Sequence, residues 1–492
     1  MAPDITLVHP LFINKDPTEA QVMTPYFPLG LMYLGAVLRE RNYQVEMFDC
    51  TFREDFSEFE TYMRFVRPPV VGITSLITVR RNALILAEIA KQYGATVILG
   101  GPDPTGIPDR YLFHQVTGGS YPVDIVAFDE AELTIIDLMD HFFQKEGAVT
   151  DLEEIGGLRL RGVDGSLVAT ESRPLIQNLD SLPLPARDLV DFAPYRQAWK
   201  KKHGYWSLSI INTRGCPYGC SWCQKAVFGR TYRSRSPENS AEEMQILKET
   251  YDPDQIRVVD DITGINKKWV SQWREAVKAK NASIPFECLT RVNLASEEML
   301  ADLQAIGCKK IFLGAESGSQ KVLDAMNKGA KVSQVYRAAE RCKHLGIEMY
   351  FFMMVGYPGE EWADLQQSVD MLRKTLPDSF STTIAYPLPG TPFYEQMRDR
   401  LLFESDWTVD WDYTAENRLL FHRERYNTFF YRQVIRWFHK EWEDAGLQAG
   451  RPTSLLGRVK IKLGLWMYRF IVSLLAHAPM TSNVRFQPAT GR

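Results

Sequence analysis

The chain is 492 residues long, 45% hydrophobic, and carries 57 Lys and Arg against 61 Asp and Glu, for a net charge of −4. Such a length predicts roughly two to four domains, and so small a charge imbalance gives no global case for nucleic-acid or membrane affinity. Three of the seven cysteines fall within eight residues, which argues against a secreted disulfide scaffold and for a reducing, cytoplasmic setting. Met1 to Thr6 lack a basic segment followed by an apolar one, so no secretory signal is expected, and no apolar run reaches the ~18 residues of a spanning helix.

From residue 1 to about 145, short apolar runs alternate with helical patterns. Ile5–Val8, Gln44–Phe48, Val70–Ile73, Thr96–Leu99 and Asp124–Ala127 read as strands. Leu29–Glu40, Asp55–Arg64, Arg80–Tyr93, a short segment from Pro108, and Leu133–Phe143 read as helices. Alternation of this kind predicts an α/β domain with an open, parallel, doubly wound (Rossmann-like) sheet, which binds ligands beyond the carboxyl ends of its strands. Three loops stand there: Thr74-Ser75-Leu76, Gly100-Gly101-Pro102-Asp103-Pro104-Thr105 and Phe128-Asp129-Glu130-Ala131-Glu132. The paired glycines permit close backbone approach to a flat or phosphate-bearing ligand, and equally suit a tight turn.

Residues 146 to 205 read as a hairpin and linker. Gly156-Gly157-Leu158-Arg159-Leu160-Arg161 and Leu167-Val168-Ala169-Thr170 flank the turn signal Asp164-Gly165. Pro183-Leu184-Pro185 and Phe192-Ala193-Pro194-Tyr195 then mark a Pro-rich connector.

After an apolar strand, Ser207 to Asn212, comes Thr213-Arg214-Gly215-Cys216-Pro217-Tyr218-Gly219-Cys220-Ser221-Trp222-Cys223, with its cysteines spaced C-x₃-C-x₂-C. Soft thiolates select zinc, copper(I) or iron–sulfur clusters, and a structural zinc site would need a fourth protein ligand at a second short spacing. None follows: Cys50, Cys288, Cys308 and Cys342 stand alone. Three ligands without a fourth suit a cubane cluster with one iron open to a substrate or cofactor. From residue 206 to about 400 the chain then repeats helix and strand. Helices are expected at Ser240–Thr250 (with Pro237 and Ser240 as start signals), Lys267–Lys280, Ser296–Ile306, Ser333–Leu345 and Trp362–Leu376. Strands are expected at Gln255–Val259, Phe286–Thr290, Lys310–Leu313, Glu348–Val355 and Thr382–Ala385. Six βα units predict a partial (β/α)₆ barrel with its function at the carboxyl ends of the strands. Those ends carry Asp260-Asp261, Arg291, Gly314-Ala315-Glu316-Ser317-Gly318, Gly356-Tyr357-Pro358-Gly359-Glu360 and Tyr386-Pro387-Leu388-Pro389-Gly390-Thr391.

The cysteine spacing behind a strand, with Trp222 beside the last cysteine, resembles the radical S-adenosylmethionine (SAM) enzymes. The resemblance implies that Cys216, Cys220 and Cys223 hold a 4Fe-4S cluster whose open iron takes the amino and carboxylate groups of SAM, which an electron then cleaves to a 5′-deoxyadenosyl radical. It further implies that Gly314, Glu316 and Ser317 form a G-x-E-S turn at the ribose and amino-acid end of SAM. Arg291 becomes a SAM carboxylate or ribose contact, Asp260, followed by Asp261, an acceptor for the methionyl amine, and Gly356 and Pro389 parts of the same strand-end site. A doubly wound domain before such a barrel is similar to the cobalamin-binding class, which includes methyltransferases and the anaerobic magnesium-protoporphyrin monomethyl ester oxidative cyclase. Pro25-Tyr26-Phe27-Pro28-Leu29-Gly30-Leu31 and the Gly-Gly-Pro turn share that likeness. Thr74, Ser75, Gly100, Gly101, Pro102 and Glu130 are then the expected cobalamin contacts. The chain departs from the class in three places: it lacks D-x-H-x-x-G, so no His is indicated as a cobalt ligand; Asp103 replaces a usual His; and Phe128 to Glu132 replaces a Gly-Glu-Gly-Glu turn.

Residues 401 to 492 are expected to be helical. Arg418–Trp442 carries aromatics at helical spacing, read as core or as a substrate wall. Leu455–Ala476 interleaves Arg458, Lys460, Lys462 and Arg469 with apolar residues, a pattern that lies on a bilayer surface or docks on the protein. The resemblance implies a cobalamin-dependent radical SAM enzyme acting on an unactivated carbon of a small or lipid-like apolar substrate, most simply as a C-methyltransferase, with flavodoxin or ferredoxin as electron donor. The alternatives are an oxidative cyclase or carbon–carbon coupling enzyme on a tetrapyrrole or lipid, and a non-enzymatic iron–sulfur sensor.

Overall fold

The computed structural model describes residues 2–116, 118–145, 152–225, 227–401, 421, 423 and 425–477. Two sheets organise them. The first is seven-stranded, in the order β2-β1-β3-β4-β5-β6-β7. Its parallel strands are β1 (Ile5–His9), β2 (Val45–Asp49), β3 (Val70–Thr74), β4 (Thr96–Gly100) and β5 (Ile125–Ala127). Alternate side chains point to opposite faces, so Val8, Val71, Ile73, Val97 and Leu99 pack beneath the helices Ser57–Val66 and Arg80–Gln92. Ile5, Leu7, Val70 and Ile98 pack on the other side with Leu29–Glu40 and Glu132–Phe143.

The hairpin expected in the linker belongs to this sheet. β6 (Leu158–Arg161) runs antiparallel to β5, and β7 (Leu167–Ala169) antiparallel to β6. Leu158 and Leu160 supply the reason, since both are buried in the core of the first sheet.

The second sheet holds six parallel strands in the order β15-β14-β13-β12-β11-β8: β8 (Ser207–Ile210), β11 (Gln255–Val258), β12 (Phe286–Thr290), β13 (Cys308–Glu316), β14 (Glu348–Val355) and β15 (Ser379–Ile384). This is the open barrel. Its large core also takes Phe27 and Met32, from just before and within the helix Leu29–Glu40, and Tyr195 and Trp199 from the helix Ala193–His203, so the barrel packs against helices of the first half of the chain. Two local expectations fail. Ser236, not Ser240, caps the helix Pro237–Ile246 by accepting from Asn239 N at 3.1 Å, while Ser240 is interior and bonded to Asn212 Oδ1 at 2.6 Å. Gly314 to Glu316 continue β13 through a bulge and do not form a turn after it.

A small ladder joins the sheets. β9 (Thr213–Arg214) pairs antiparallel with β10 (Arg233–Ser234), closing the neck of the cysteine loop. Arg214 donates to Glu130 at 2.9 Å and to Glu132 at 2.6 Å, and Arg233 donates to Glu130 at 2.7 Å. All four side chains are buried. Beside them Arg187 and Arg235 converge on buried Glu243.

Removing one partner from such a buried network strands a charge, whereas exposed pairs contribute little. Glu130→Ala is therefore expected to lower stability by about 3–5 kcal/mol in urea unfolding. Asp188→Ala, which breaks the exposed Arg39–Asp188 pair, should stay within about 1 kcal/mol of the parent.

Candidate active site

The cysteine loop is held in shape from both sides. Gly215 has φ +85°, and a Cβ there would meet Thr231 O at 2.4 Å, so only glycine fits. Its amide donates to Asp261 Oδ2 at 2.8 Å. Asn212 N and Thr213 N donate to Asp260 Oδ1 at 2.7 and 3.0 Å. From the barrel, Ser221 N donates to Met326 O at 3.0 Å, Asn327 Nδ2 to Gly219 O at 2.8 Å, and Phe393 N to Ser221 O at 3.0 Å.

All three loop cysteines are free thiols. Burial pushes Cys223 up to about 11 and raises Cys216 as well, so both are protonated until a metal displaces the proton. Among the described residues no three His, Cys, Asp or Glu side chains are gathered tightly enough for a single metal ion. The three thiols stand on one loop and act on one another's charge, and three soft ligands on one loop are the donor set a multi-iron cluster takes. Arg291, buried at the end of β12, donates Nη1 to Cys220 Sγ at 3.2 Å and Nη2 to Lys328 O, with Tyr218 stacked 3.8 Å from its guanidinium. It pairs with neither Glu287 nor Glu316.

The remaining expected cofactor contacts divide. Glu316, with φ +59°, forms a buried ion pair with Lys328 at 2.7 Å, and Lys328 Nζ lies 5.6 Å from the Trp222 ring. A Cβ on Gly314 would stand 2.6 Å from Lys328 Nζ, so that glycine makes room for the pair. Ser317 is fully buried against Ser368 Oγ at 3.2 Å, which commits it to packing. Asp260, expected to receive the methionyl amine, is occupied by the loop amides and by Thr263 Oγ1 at 3.3 Å. Gly356 donates to Glu360 Oε2 at 2.6 Å and packs under the Tyr431 ring.

On the first sheet, Gly101 (φ +106°) is required because a Cβ would lie 2.6 Å from Ser75 O. Ser75 N donates to Gly100 O at 2.8 Å, and Ser75 Oγ bonds the Tyr111 hydroxyl at 2.9 Å. Thr74 closes β3, half-buried beside that turn. Asp103 is locked by Arg80 at 2.6 and 2.7 Å and by Tyr111. Glu130, expected at cobalamin, has both carboxylate oxygens taken by Arg214, Arg233 and Ile176 N. Its place is the tie between the sheets.

One cavity of ≈ 290 Å³ brings the two sets of strand ends together, lined by Cys220, Cys223, Gln224, Lys225 and Arg230 with Thr105, Gly106, Gly390 and Pro392. Gln224 Nε2 donates to Pro102 O at 3.4 Å and to Pro389 O at 3.2 Å, bridging first sheet, cysteine loop and barrel. Thr105 Oγ1 is buried without a partner, a vacancy that a ligand's polar groups fit. The volume lies just below the ~300–1,000 Å³ usual for small-molecule sites. Thr105 stands in a strand-end loop that the sequence marked, whereas Gln224, Lys225 and Lys328 went unnoticed; of these only Gln224 and Lys225 carried a signal, by following the last cysteine.

Burial also raises Glu360 to about 8 and Asp260 to about 7. Each keeps a proton that the unfolded chain releases near pH 4, so both make stability fall as pH rises from about 4 to 8. Glu360→Gln is expected to flatten that fall in melting temperatures taken from pH 6 to 8.5; an unchanged slope would contradict it. A charged donor on a ligating sulfur favours the reduced cluster. Arg291→Gln should therefore shift the midpoint potential of the loaded cluster negative by tens of mV, on the order of a tenfold change in equilibrium, in an EPR-monitored titration.

Residues 19–138 match the B12 binding domain and residues 210–372 the radical SAM superfamily. An uncharacterised methyltransferase of Pyrococcus horikoshii is 29% identical over 438 residues, covering 85% of this chain and 92% of that one. The anaerobic magnesium-protoporphyrin IX monomethyl ester cyclase of Rubrivivax gelatinosus is 25% identical over 404 residues, covering 81% and 70%. The radical SAM methyltransferase TsrM of Kitasatospora setae, solved with cobalamin and a 4Fe-4S cluster, shares the fold at a TM-score of 0.65 and 18% identity, covering 81% of this chain and 75% of that one. The chain thus joins a B12-binding domain to a radical SAM domain that offers three free thiols, and these two domains imply a 4Fe-4S cluster, SAM and cobalamin as its cofactors.

Proposed function

We propose that the chain is a cobalamin-dependent C-methyltransferase acting on an unactivated carbon of an apolar small molecule or lipid. The observation that carries this reading is the shared cavity, in which Cys220 and Cys223 face Thr105 and Gly106 of the first sheet. When bound, the cofactors supply a 5′-deoxyadenosyl radical and a transferable methyl group. The residues of the chain do the rest. Cys216, Cys220 and Cys223 hold the cluster, and Gly215 with Asp261 fixes where the loop begins. Arg291 puts positive charge beside Cys220, and the Glu316–Lys328 ion pair packs near Trp222. Met326, Met354, Phe393 and Phe421 form a buried apolar cluster against which Trp222 packs, giving the cysteine loop a dry backing. A low-potential donor such as flavodoxin or ferredoxin supplies the electron. Among the described residues no helix is long and apolar enough to cross a membrane; the reading places the enzyme in the cytoplasm, with contact to the inner membrane face through its last helix.

The likeness to the protoporphyrin ester cyclase keeps oxidative cyclisation as a second reading, and product analysis separates the two. After anaerobic reconstitution with iron, sulfide and hydroxocobalamin, incubation with SAM and reductant should give both S-adenosylhomocysteine and 5′-deoxyadenosine. Cyclisation predicts 5′-deoxyadenosine alone, and a sensor predicts a cluster with neither product. Cys216→Ala, Cys220→Ala or Cys223→Ala should each abolish the deoxyadenosine.

A further inference from the structure

The helix Leu455–His477 is 23 residues long, about 35 Å at ~1.5 Å per residue. One face docks on the helix Thr428–Gln448. Leu465 and Val472 are buried there, Lys462 reaches Asp444 at 2.6 Å, and Arg469 holds Glu441 at 2.6 and 2.7 Å. The opposite face has no cover among the described residues. Leu463, Trp466, Phe470 and Leu474 are 64, 71, 61 and 60% exposed, and Leu455, Leu456 and Val459 continue the row. At ~100° per residue they fall within a stripe of roughly 120°.

A stripe this large is uncommon on a surface that meets only water. The charge around it identifies the occupant. Residues 455–477 contain no Asp or Glu, in a chain whose net charge is −4. By the same periodicity, Lys460 borders the stripe on one side, and Arg458 and Lys462 lie toward the other. Arg458 and Lys460 are exposed, with no ion pair shown. Apolar and aromatic residues on one face, flanked by the exposed cations Arg458 and Lys460 and by no anion of the same helix, match a helix lying in the headgroup region of an anionic bilayer. Cations at the rim meet lipid phosphate while Trp466 and Phe470, stacked at 6.1 Å, enter the acyl boundary. A protein partner for an apolar stripe would need no such one-sided charge.

We propose that Leu455–His477 is a monotopic anchor that seats the enzyme on an anionic phospholipid surface, independently of the reaction it catalyses. The test is co-sedimentation of the full chain with vesicles of phosphatidylglycerol and phosphatidylcholine in equal parts, and with phosphatidylcholine alone. The parent should pellet with the mixed vesicles and do so far less with the neutral ones. Arg458→Gln and Lys460→Gln should each weaken partition about fivefold. Trp466→Glu combined with Phe470→Glu should leave the protein in the supernatant with an unchanged circular-dichroism spectrum and melt. The proposal fails if the parent ignores anionic vesicles, or if the stripe variant pellets like the parent. It fails equally if vesicle-free light scattering shows a dimer that the stripe variant splits, which would assign the stripe to a second copy of the chain.

Discussion

The buried ion pairs of Arg214 and Arg233 with Glu130 and Glu132 are the constraint on which the rest depends. Arg214 lies two residues before Cys216, and Arg233 closes the same loop on β10. Their carboxylate partners come from the strand-end turn after β5 and from the start of the helix that follows it. Burying four charges is costly, and the cost is offset only when every hydrogen-bonding position is filled in good geometry. The tie therefore tolerates little sliding, and it sets the cysteine loop against the carboxyl ends of the first sheet.

The barrel fixes the other side of the loop with neutral bonds: Met326 O, Asn327 and Phe393 N hold its middle. The active-site cavity is what remains between these two sets of restraints. Arg291, bonded to Cys220 Sγ, places positive charge beside a loop sulfur, the sense of charge that a cluster of soft anionic ligands would require. Gln224, held by carbonyls from the segments that follow β4 and β15, registers all three parts of the site at once.

Much of this was legible in the sequence, for a physical reason. Strands buried on both faces read as continuous apolar runs, and β1 to β4 end within one residue of where those runs end. The cysteine spacing named its own chemistry because three thiolates in eight residues have few other uses. What stayed hidden depends on partners far along the chain. Glu130 looked like a cofactor contact because its loop is a strand end, yet its partner Arg214 lies 84 residues away. Lys328 carries no local signal, and it became visible only through the space Gly314 leaves for it. Ser240 looked like a cap because Ser and Pro both start helices, and only geometry shows that Ser236 takes the bond. The exposed stripe of the last helix was ambiguous in the same way, since a period of 3.6 reveals two faces without saying which one the protein covers.

The central claim is that the carboxyl ends of the two sheets converge on a single cavity, so that cluster and cobalamin are held side by side. The most direct measurement is the EPR spectrum of the chain loaded with both cofactors, with the cluster reduced and the cobalt in its divalent state. Convergence predicts that the two paramagnets interact, with a broadened cobalt signal and faster relaxation than in a Cys220→Ala variant that holds cobalamin alone. A spectrum that is the plain sum of the two separate centres would place them apart and contradict the account.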